Sequence, residues 1–300
     1  MRNWIHYGLV VPARIAALVY GGLLILFAIG QRQYIYYPVK RPESELAELA
    51  GRMGLSMWRD GEGAFTGWRT RRSLLAAPAY RAVVFHGNAG FALHRKYFVD
   101  GFSAAGDGLA WEVLLFEYPG YGARAGVPSE PNIQQAAATA VEALLAEDER
   151  PLFLVGESLG SGVAAHIAAR FPERVAGLLL VTPFTSLADV AAHYYPFLPV
   201  RWLLRERYDA AGDLARYAGP VAVLLAGRDD VIPVRFGQRL FDGYSGPKRL
   251  WVQEAATHNT LDYDPHAAWW REVTGFLLEQ ARGTVAGPPA PATDHFTDGK

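Results

Sequence analysis

The feature that most restricts the fold of this chain is an alternation of short apolar segments with longer, alanine-rich ones, which begins near residue 81. The apolar segments have the length and composition of strands and lie at 81–85, 111–118, 151–155, 175–181, 220–226 and 249–254. The segments between them predict helices at 92–105, 130–147, 159–170, 187–195, 234–244 and 265–281. Strands that are apolar throughout and alternate with helices indicate an α/β fold, with a mostly parallel central sheet flanked by helices.

The loops of such a sheet indicate where functional residues belong. In an open α/β sheet the ligand site forms outside the carboxyl ends of the strands. We therefore expect the functional residues to follow the predicted strands directly. Before the alternation begins, residues 42–50 predict a short helix. Residues 52–75 predict one or two edge strands, because apolar and polar residues roughly alternate there.

Composition excludes several classes of site and partner. The chain has 300 residues and a formal net charge of −1, and no Lys/Arg run or basic helix stands out. A protein that binds nucleic acid usually carries such a basic surface, so we predict no nucleic-acid partner. The chain has no cysteine, which excludes disulfides, thiolate zinc sites and a cysteine nucleophile.

The N-terminus is far more apolar than the rest of the chain. Residues 15–30 form an uncharged run of 16 residues, which reaches 23 when it is extended back across Arg14. About 20 apolar residues span a bilayer, and an arginine near one end can extend its side chain to the headgroups. Tyr34, Tyr36 and Tyr37 follow the run and resemble an interfacial aromatic belt. This pattern predicts a single-pass membrane anchor.

Two other interpretations of the apolar run stay open. Ala28 and Gly30 have the spacing of a signal-peptide cleavage site, and the run also fits a buried helix of a globular domain. Positive charges flank it on both sides, so its orientation in a membrane is undetermined. We divide the chain into an anchor at 1–31, a globular domain at 32–282 and a disordered tail at 283–300, which is rich in Gly, Pro and Ala.

A G-x-S-x-G motif at residues 156–160 (GESLG) joins a predicted strand to an alanine-rich predicted helix. In that context the motif predicts a nucleophile elbow, a sharp turn that exposes the serine hydroxyl above the sheet. Both glycines are needed because a side chain at either position would collide with neighbouring backbone. Ser158 is therefore the predicted nucleophile. Without this context, the motif also fits an ordinary Gly/Ser-rich turn.

A serine nucleophile needs a general base, which is held in turn by an acid. In proteins with this type of elbow, the acid follows the serine and precedes the base. Asp229 and Asp230 both follow a predicted strand. Asp229 lies nearer the strand and four residues before Pro233, so we predict it as the acid and assign Asp230 to the loop. Asp189 is a further candidate, but it fits better as a capping residue at the start of a helix.

The predicted base is His258. The chain has eight histidines, of which only His86 and His258 follow predicted strands directly. His86 precedes Ser158, which is the wrong order for a base in this arrangement. The order Ser158, Asp229, His258 satisfies it.

Acyl transfer also needs two N–H donors for the negative charge that develops on the carbonyl oxygen. We predict the backbone N–H of Leu159, directly after the nucleophile, and that of Asn88, in the glycine-containing loop after the strand at 81–85. Taken alone, the second loop fits an ordinary Gly-Asn turn. The neighbouring segment 118–122 either walls the pocket or packs in the core.

Taken together, these motifs resemble a branch of the α/β-hydrolase superfamily, the membrane-anchored serine hydrolases that include protein depalmitoylases and lysophospholipase-like enzymes. The resemblance covers about residues 20 to 280 and is carried by FHGNAG, EYPGYG, GESLG, GRDDVIP and HN, in that order. It implies hydrolysis of carboxylic esters or thioesters through an acyl-enzyme, with no metal and no organic cofactor. One residue departs from the pattern, because Thr257 stands where relatives usually have glycine before the histidine.

The segment at about 183–216 interrupts the strand–helix alternation where such enzymes carry a cap. It is short and rich in large apolar side chains, including Tyr194, Tyr195, Phe197 and Trp202. We predict that it lines a pocket for a small-molecule or lipid acyl substrate, although the same side chains also fit a simple cover over the sheet. A peptidase or amidase on the same fold and a non-catalytic binding module are the alternative functions.

Overall fold

The computed structural model describes residues 2–71, 78–106 and 110–285. The end of the predicted edge-strand region, 72–75, and most of the predicted tail, 286–300, lie outside the described residues. The strands are β1 Tyr37–Pro38, β2 Leu55–Arg59, β3 Phe65–Thr70, β4 Pro78–Phe85, β5 Ala89–Gly90, β6 Ala110–Phe116, β7 Leu152–Glu157, β8 Val175–Val181, β9 Val221–Ala226 and β10 Lys248–Gln253. The helices are α1 Arg2–Ile35, α2 Glu43–Arg52, α3 Lys96–Ala105, α4 Glu130–Glu147, α5 Leu159–Arg170, α6 Leu187–Tyr194, α7 Val200–Leu203, α8 Ala210–Leu214, α9 Val234–Gly243 and α10 Ala268–Val285.

Eight of the strands form one sheet in the order β10-β9-β8-β7-β4-β6-β3-β2. The six strands from β10 to β6 in this order are parallel, and the β2–β3 hairpin adds to the edge in antiparallel pairing. The mostly parallel α/β architecture that the sequence predicts is therefore confirmed. A separate two-stranded pair, β1 with β5, ties the end of α1 to the loop after β4.

Helices cover both faces of the sheet, which explains why its central strands are apolar throughout. Along β7, Leu152 and Leu154 pack into a core beneath α4, α5, α8 and α9. The alternate residues Phe153 and Val155 pack into a second core beneath α3 and α10. Successive side chains of a strand point to opposite faces, so both sets must be apolar when both faces are buried.

The structure refines several predicted boundaries. The helix predicted at 92–105 begins as a 3₁₀ turn, Ala92–Arg95, before it continues as α3. The last helix, predicted at 265–281, occupies Ala268–Val285 and so includes the first residues assigned to the tail. The cap segment contains the short helices α6, α7 and α8. Ser186 caps the start of α6, and its side chain accepts a hydrogen bond from the Asp189 N–H.

The N-terminal helix lies outside both cores. Within α1, the section Val10–Ile35 is long and apolar enough to cross a membrane, and its side chains from residue 10 to residue 19 are all exposed. The helix continues past the predicted boundary at residue 31 to Ile35, and the end of α1 contacts the cap. An exposed apolar helix of this kind is unlike a buried core helix, which was one of the open interpretations.

Candidate active site

Ser158 lies at the turn between β7 and α5 with φ 52° and ψ −117°. This backbone conformation is strained for a residue with a side chain and costs of the order of 1–3 kcal/mol. The turn is tightly enclosed: a Cβ at Gly156 would lie 2.5 Å from the Gly160 carbonyl oxygen, and one at Gly160 would lie 2.0 Å from that of Phe85. A side chain at either glycine would therefore collide with backbone atoms, as the sequence pattern predicted.

The structure brings Ser158, His258 and Asp229 into one hydrogen-bonded chain. His258 Nε2 lies 3.0 Å from Ser158 Oγ, and His258 Nδ1 lies 2.7 Å from Asp229 Oδ2. When Nδ1 carries the ring proton and donates a hydrogen bond to the carboxylate, Nε2 is unprotonated and can accept the serine hydroxyl proton. The three residues follow β7, β9 and β10, so their convergence results from the parallel direction of these strands.

The surroundings of Asp229 differ from those of the neighbouring carboxylates. Its Oδ1 accepts hydrogen bonds from the backbone N–H groups of Val231 (2.9 Å) and Ile232 (2.7 Å), which leaves Oδ2 for His258. The side chain is only 3% exposed. Asp230 is exposed. Asp189 bonds Thr185 and Arg201 at the start of α6 instead.

Thr257, the departure from the motif pattern, is accommodated by a local turn. Its backbone N–H donates to Thr260 Oγ1 at 2.8 Å, and its own hydroxyl lies 3.0 Å from the same oxygen. Among the described residues other than glycine, positive φ angles occur at Ser158, Thr182 and Tyr208. Thr257 is not among them. The loop before the histidine thus takes a conformation that does not require glycine.

Leu159 and Asn88, the two predicted N–H donors, line the same pocket as Ser158. Leu159 is the first residue of α5, so its N–H has no acceptor within the helix. The loop of Asn88 follows β4, which pairs with β7, and Asn88 and Leu159 both line the pocket beside Ser158. The Asn88 side chain donates to the Ile35 carbonyl at 2.7 Å, which fixes the loop against the end of α1.

Aromatic side chains support the Asn88 loop from behind. Tyr118 donates to the His86 carbonyl at 2.6 Å, and Tyr121 donates to the Asn88 carbonyl at 2.7 Å. Both rings are fully buried. Of the two roles considered for segment 118–122, these tyrosines therefore take the packing role, with hydrogen bonds that hold the loop. His86, the other histidine after a strand, is buried with its Nδ1 against the Gly87 carbonyl.

A mostly buried ion pair that sequence reasoning missed lies beside Ser158. Glu157 Oε2 accepts from Arg95 Nε at 2.6 Å, and its Oε1 accepts from the Tyr97 hydroxyl at 2.6 Å. Burial opposes ionisation of Glu157, but Arg95 and Tyr97 outweigh it and lower the pKa of this carboxyl. Arg95 also donates to the Ala89 carbonyl at 3.0 Å, so the pair connects the elbow to the Asn88 loop. Residue order alone carries no sign of this pairing.

An apolar pocket of about 220 Å³ opens above Ser158. One side is formed by cap residues, among them Val190, Tyr194 and Tyr195. The prediction that the cap lines a pocket next to the nucleophile matches this arrangement. Residues at the end of α1 also line the pocket, which the sequence did not indicate.

A sequence model of the alpha/beta hydrolase family matches residues 82–297. The chain belongs to this family, which confirms the fold and the superfamily expected from its motifs. An uncharacterized protein of Mycobacterium tuberculosis, Rv2307c, is 36% identical over 272 residues, covering 89% of this chain and 94% of the relative.

Two further similar proteins are a named lipase and a protein of solved structure. Lysophosphatidylserine lipase ABHD12 of Xenopus tropicalis is 28% identical over 230 residues, and the match covers 69% of this chain and 58% of that lipase. The chain thus spans little more than half of its length. The ferulic-acid complex of Est1E from Butyrivibrio proteoclasticus superposes with a TM-score of 0.62 at 16% identity, covering 76% of this chain and 100% of Est1E. At that identity the likeness shows the fold.

Proposed function

We propose that this protein is a serine hydrolase that cleaves carboxylic esters or thioesters of acyl-lipid-like substrates. The observation that carries the proposal is the hydrogen-bonded chain of Ser158, His258 and Asp229 at the base of an apolar pocket. A strained serine at a strand–helix turn, next to an imidazole held by a carboxylate, is the arrangement by which serine hydrolases activate a hydroxyl.

In the proposed reaction, His258 Nε2 takes the hydroxyl proton as Ser158 Oγ attacks the carbonyl carbon. The oxygen of that carbonyl gains negative charge and accepts hydrogen bonds from the N–H groups of Leu159 and Asn88. The tetrahedral intermediate collapses, and His258 gives its proton to the departing alcohol or thiol. His258 then takes a proton from water, whose oxygen attacks the acyl-enzyme. The carboxylic acid leaves, and Ser158 regains its proton.

The pocket supports a substrate with a single acyl chain. Its volume, about 220 Å³, is below the roughly 300–1,000 Å³ typical of pockets for drug-sized ligands, and its lining is mostly aliphatic and aromatic. One alkyl chain fits this space better than two. The likeness to a lysophosphatidylserine lipase supports the same class, because lysolipids carry one acyl chain.

We also propose that α1 anchors the enzyme in a membrane. The section Val10–Ile35 has 26 residues, and at about 1.5 Å per residue it exceeds the roughly 30 Å hydrocarbon core of a bilayer. Large apolar side chains along it are exposed, including Leu18 (76%) and Ile29 (75%). Removal of the segment as a secretory signal, by cleavage near Ala28 or Gly30, would also remove Phe27 from the wall of the pocket, which favours an anchor over a signal.

Fluorophosphonate labelling tests the proposed chemistry. A fluorophosphonate should add once to the full-length protein and not at all to Ser158→Ala, because phosphonylation requires the activated hydroxyl. Ser103→Ala, an exposed serine on α3, is the matched control and should label like the parent protein. Competition with monoacyl esters, diacyl esters and acyl thioesters ranks the substrates. Equal labelling of Ser158→Ala and the parent protein would show that the nucleophile is assigned wrongly.

A further inference from the structure

The end of α1 forms one wall of the pocket beside Ser158. Four of its residues line the cavity: Phe27, Gln31, Tyr34 and Ile35. Their spacing of i, i+4, i+7 and i+8 places them on a single face of the helix. The helix that the sequence indicates as a membrane anchor therefore also contributes directly to the substrate site.

Polar contacts fix the rotation of α1 against the cap. Gln31 is 2% exposed; its amide nitrogen donates to the Leu203 carbonyl at 3.2 Å, and its amide oxygen accepts from the Arg205 N–H at 2.7 Å. In a bilayer, apolar contact alone does not favour one helix face over another, because lipid tails are equally apolar. Bonds of this kind therefore determine which face of α1 is directed toward the pocket.

A buried carboxylate completes the attachment. Glu206 is fully buried in the cap and accepts hydrogen bonds from Arg32 Nε at 2.7 Å and from the Tyr36 hydroxyl at 2.5 Å. It also accepts from the backbone N–H of Glu130, at the start of α4. The Tyr36 hydroxyl lies 2.8 Å from that of Tyr208. The last turn of α1 is thus bonded to the cap and to the start of α4 at once.

The outer faces of α1 and of the cap both expose large apolar side chains. On α1, Leu26 is 63% exposed on the side away from the pocket. On the cap, Phe197 is 69% and Trp202 86% exposed. The Tyr20 hydroxyl donates to the Phe197 carbonyl at 2.8 Å, so the exposed cap aromatics lie beside the apolar run of the helix. Aromatic side chains in this position are typical of the membrane–water interface.

We propose that α1 is a substrate-binding element, whose Phe27–Ile35 face holds the acyl chain, and that the chain enters from the bilayer along the seam between α1 and the cap. This inference rests on the proposed hydrolase function. The seam joins the bilayer-facing surface to the cavity, so the acyl chain reaches Ser158 without passing through water. Phe27, which contacts Tyr195 across the seam with ring centroids 6.0 Å apart, lies where the chain would pass.

Variants of two adjacent residues test whether this face of α1 contacts the acyl chain. Phe27→Ala removes a side chain from the pocket face, and Leu26→Ala removes one from the outer face of the same turn. In phosphatidylcholine vesicles, Phe27→Ala should lower kcat/KM for p-nitrophenyl dodecanoate about tenfold, the effect of losing one good apolar contact. It should lower p-nitrophenyl acetate hydrolysis far less, and a circular-dichroism spectrum like that of the parent protein would show that the variant is folded. Leu26→Ala should change neither rate. Equal effects of Phe27→Ala on both esters would overturn the inference.

A photoreactive probe tests the same wall without turnover. An alkyl fluorophosphonate with a diazirine at the end of its chain is attached to the full-length protein in vesicles and illuminated. Crosslinks to the segment 27–35 would support α1 as the acyl wall. Attachment to Ser158 with crosslinks confined to other segments would overturn the inference and leave the proposed hydrolase function intact. Failure of the probe to attach at all would overturn both.

Discussion

The two aspartates after β9 are adjacent in sequence but have different contacts. Asp229 accepts two backbone N–H bonds through one oxygen and contacts His258 through the other, whereas Asp230 is exposed. A carboxylate held in this way keeps the imidazole in the tautomer whose Nε2 accepts a proton. Its neighbour, on the same loop and with the same charge, has no such contact with the histidine.

Replacing each aspartate in turn by asparagine tests whether contact with His258 or the charge of the loop supports the reaction. Asp229→Asn is expected to lower kcat by about 10³- to 10⁴-fold, the order seen when the acid of a serine triad loses its charge. The measurement is steady-state hydrolysis of a p-nitrophenyl ester. Asp230→Asn should leave kcat unchanged. A comparable loss in both variants would mean that loop charge, and not contact with His258, supports the reaction.

Crowding at the elbow leads to a second prediction for a single residue. Gly160→Ala places a Cβ 2.0 Å from the Phe85 carbonyl oxygen, and the rigid strand there has no room to move. Overpacking of this kind costs about 1–3 kcal/mol or more, so the free energy of unfolding should fall by about 3 kcal/mol. Urea denaturation of the detergent-solubilised protein measures the change.

Gly275→Ala is the matched control for this substitution. A Cβ at Gly275, on α10, would meet nothing within 4 Å. Alanine in a helix interior is favoured over glycine, so this variant should be more stable than the parent protein by up to about 1 kcal/mol. Similar destabilisation by both substitutions would contradict the assignment of Gly160 to a crowded turn.

At the level of elements, buried polar contacts connect segments that are far apart in sequence. Glu157, at the end of β7, binds Arg95 in the turn before α3 and Tyr97 in its first turn. Through the Ala89 carbonyl, Arg95 also holds the loop that carries Asn88. One ion pair therefore connects the turn of Ser158 to the loop of Asn88.

This ion pair gives stability a defined dependence on pH. Because the pKa of Glu157 is lowered in the folded protein, its stabilisation is present above its unfolded value of about 4.3 and is lost as pH falls through the folded pKa. Arg95→Met leaves the carboxylate buried without its cation and should cost about 3 kcal/mol at pH 7. The difference in unfolding free energy between parent and variant should therefore shrink as pH falls below about 4.3.

Lys96→Met is the control for the loss of a neighbouring positive charge. Lys96 pairs with Asp100 on the surface of α3. Exposed pairs contribute about 0–1 kcal/mol, so this variant should lose little stability at any of these pH values. Denaturant titrations of the three proteins across the pH range provide the comparison. A pH-independent cost of Arg95→Met would show that its role is packing alone.

At the level of the whole molecule, α1 is bonded to the cap and lines the same pocket as Ser158. The helix presents apolar side chains outward and completes the pocket inward. A tether that only held the domain near a membrane would not need the second property. This dual role follows from the contacts of Gln31, Arg32 and Tyr36 with the cap.

The mature protein is therefore expected to retain its N-terminal segment. Intact-mass measurement of protein extracted from membranes should show residues 2–30 present. The protein should stay in the membrane fraction in high salt and alkaline carbonate and be released by detergent, because about 20 apolar residues insert too stably for salt to displace. An N-terminus near residue 29 or 31 would show that the segment is a cleaved signal.

Much of the fold could be predicted from the sequence because its signals are local. Six apolar strands alternate with helices, and each predicted strand lies within a few residues of an observed one. The elbow was also recognisable, since a strand, two glycines around a serine and a helix occur in consecutive positions. The order Ser158, Asp229, His258 placed each candidate after a parallel strand, and such strands end at one edge of the sheet.

Only the tertiary structure decided what surrounds these residues. Glu206 and Arg32 are 174 residues apart, and no periodicity or motif marks them as partners. The apolar run of α1 predicted an anchor but also fitted a signal or a core helix, because composition shows how hydrophobic a segment is and not which neighbour each of its faces contacts. Local propensity and chain order determined the sheet and the reactive residues. Long-range packing and buried charge pairing determined that an N-terminal helix became part of the pocket.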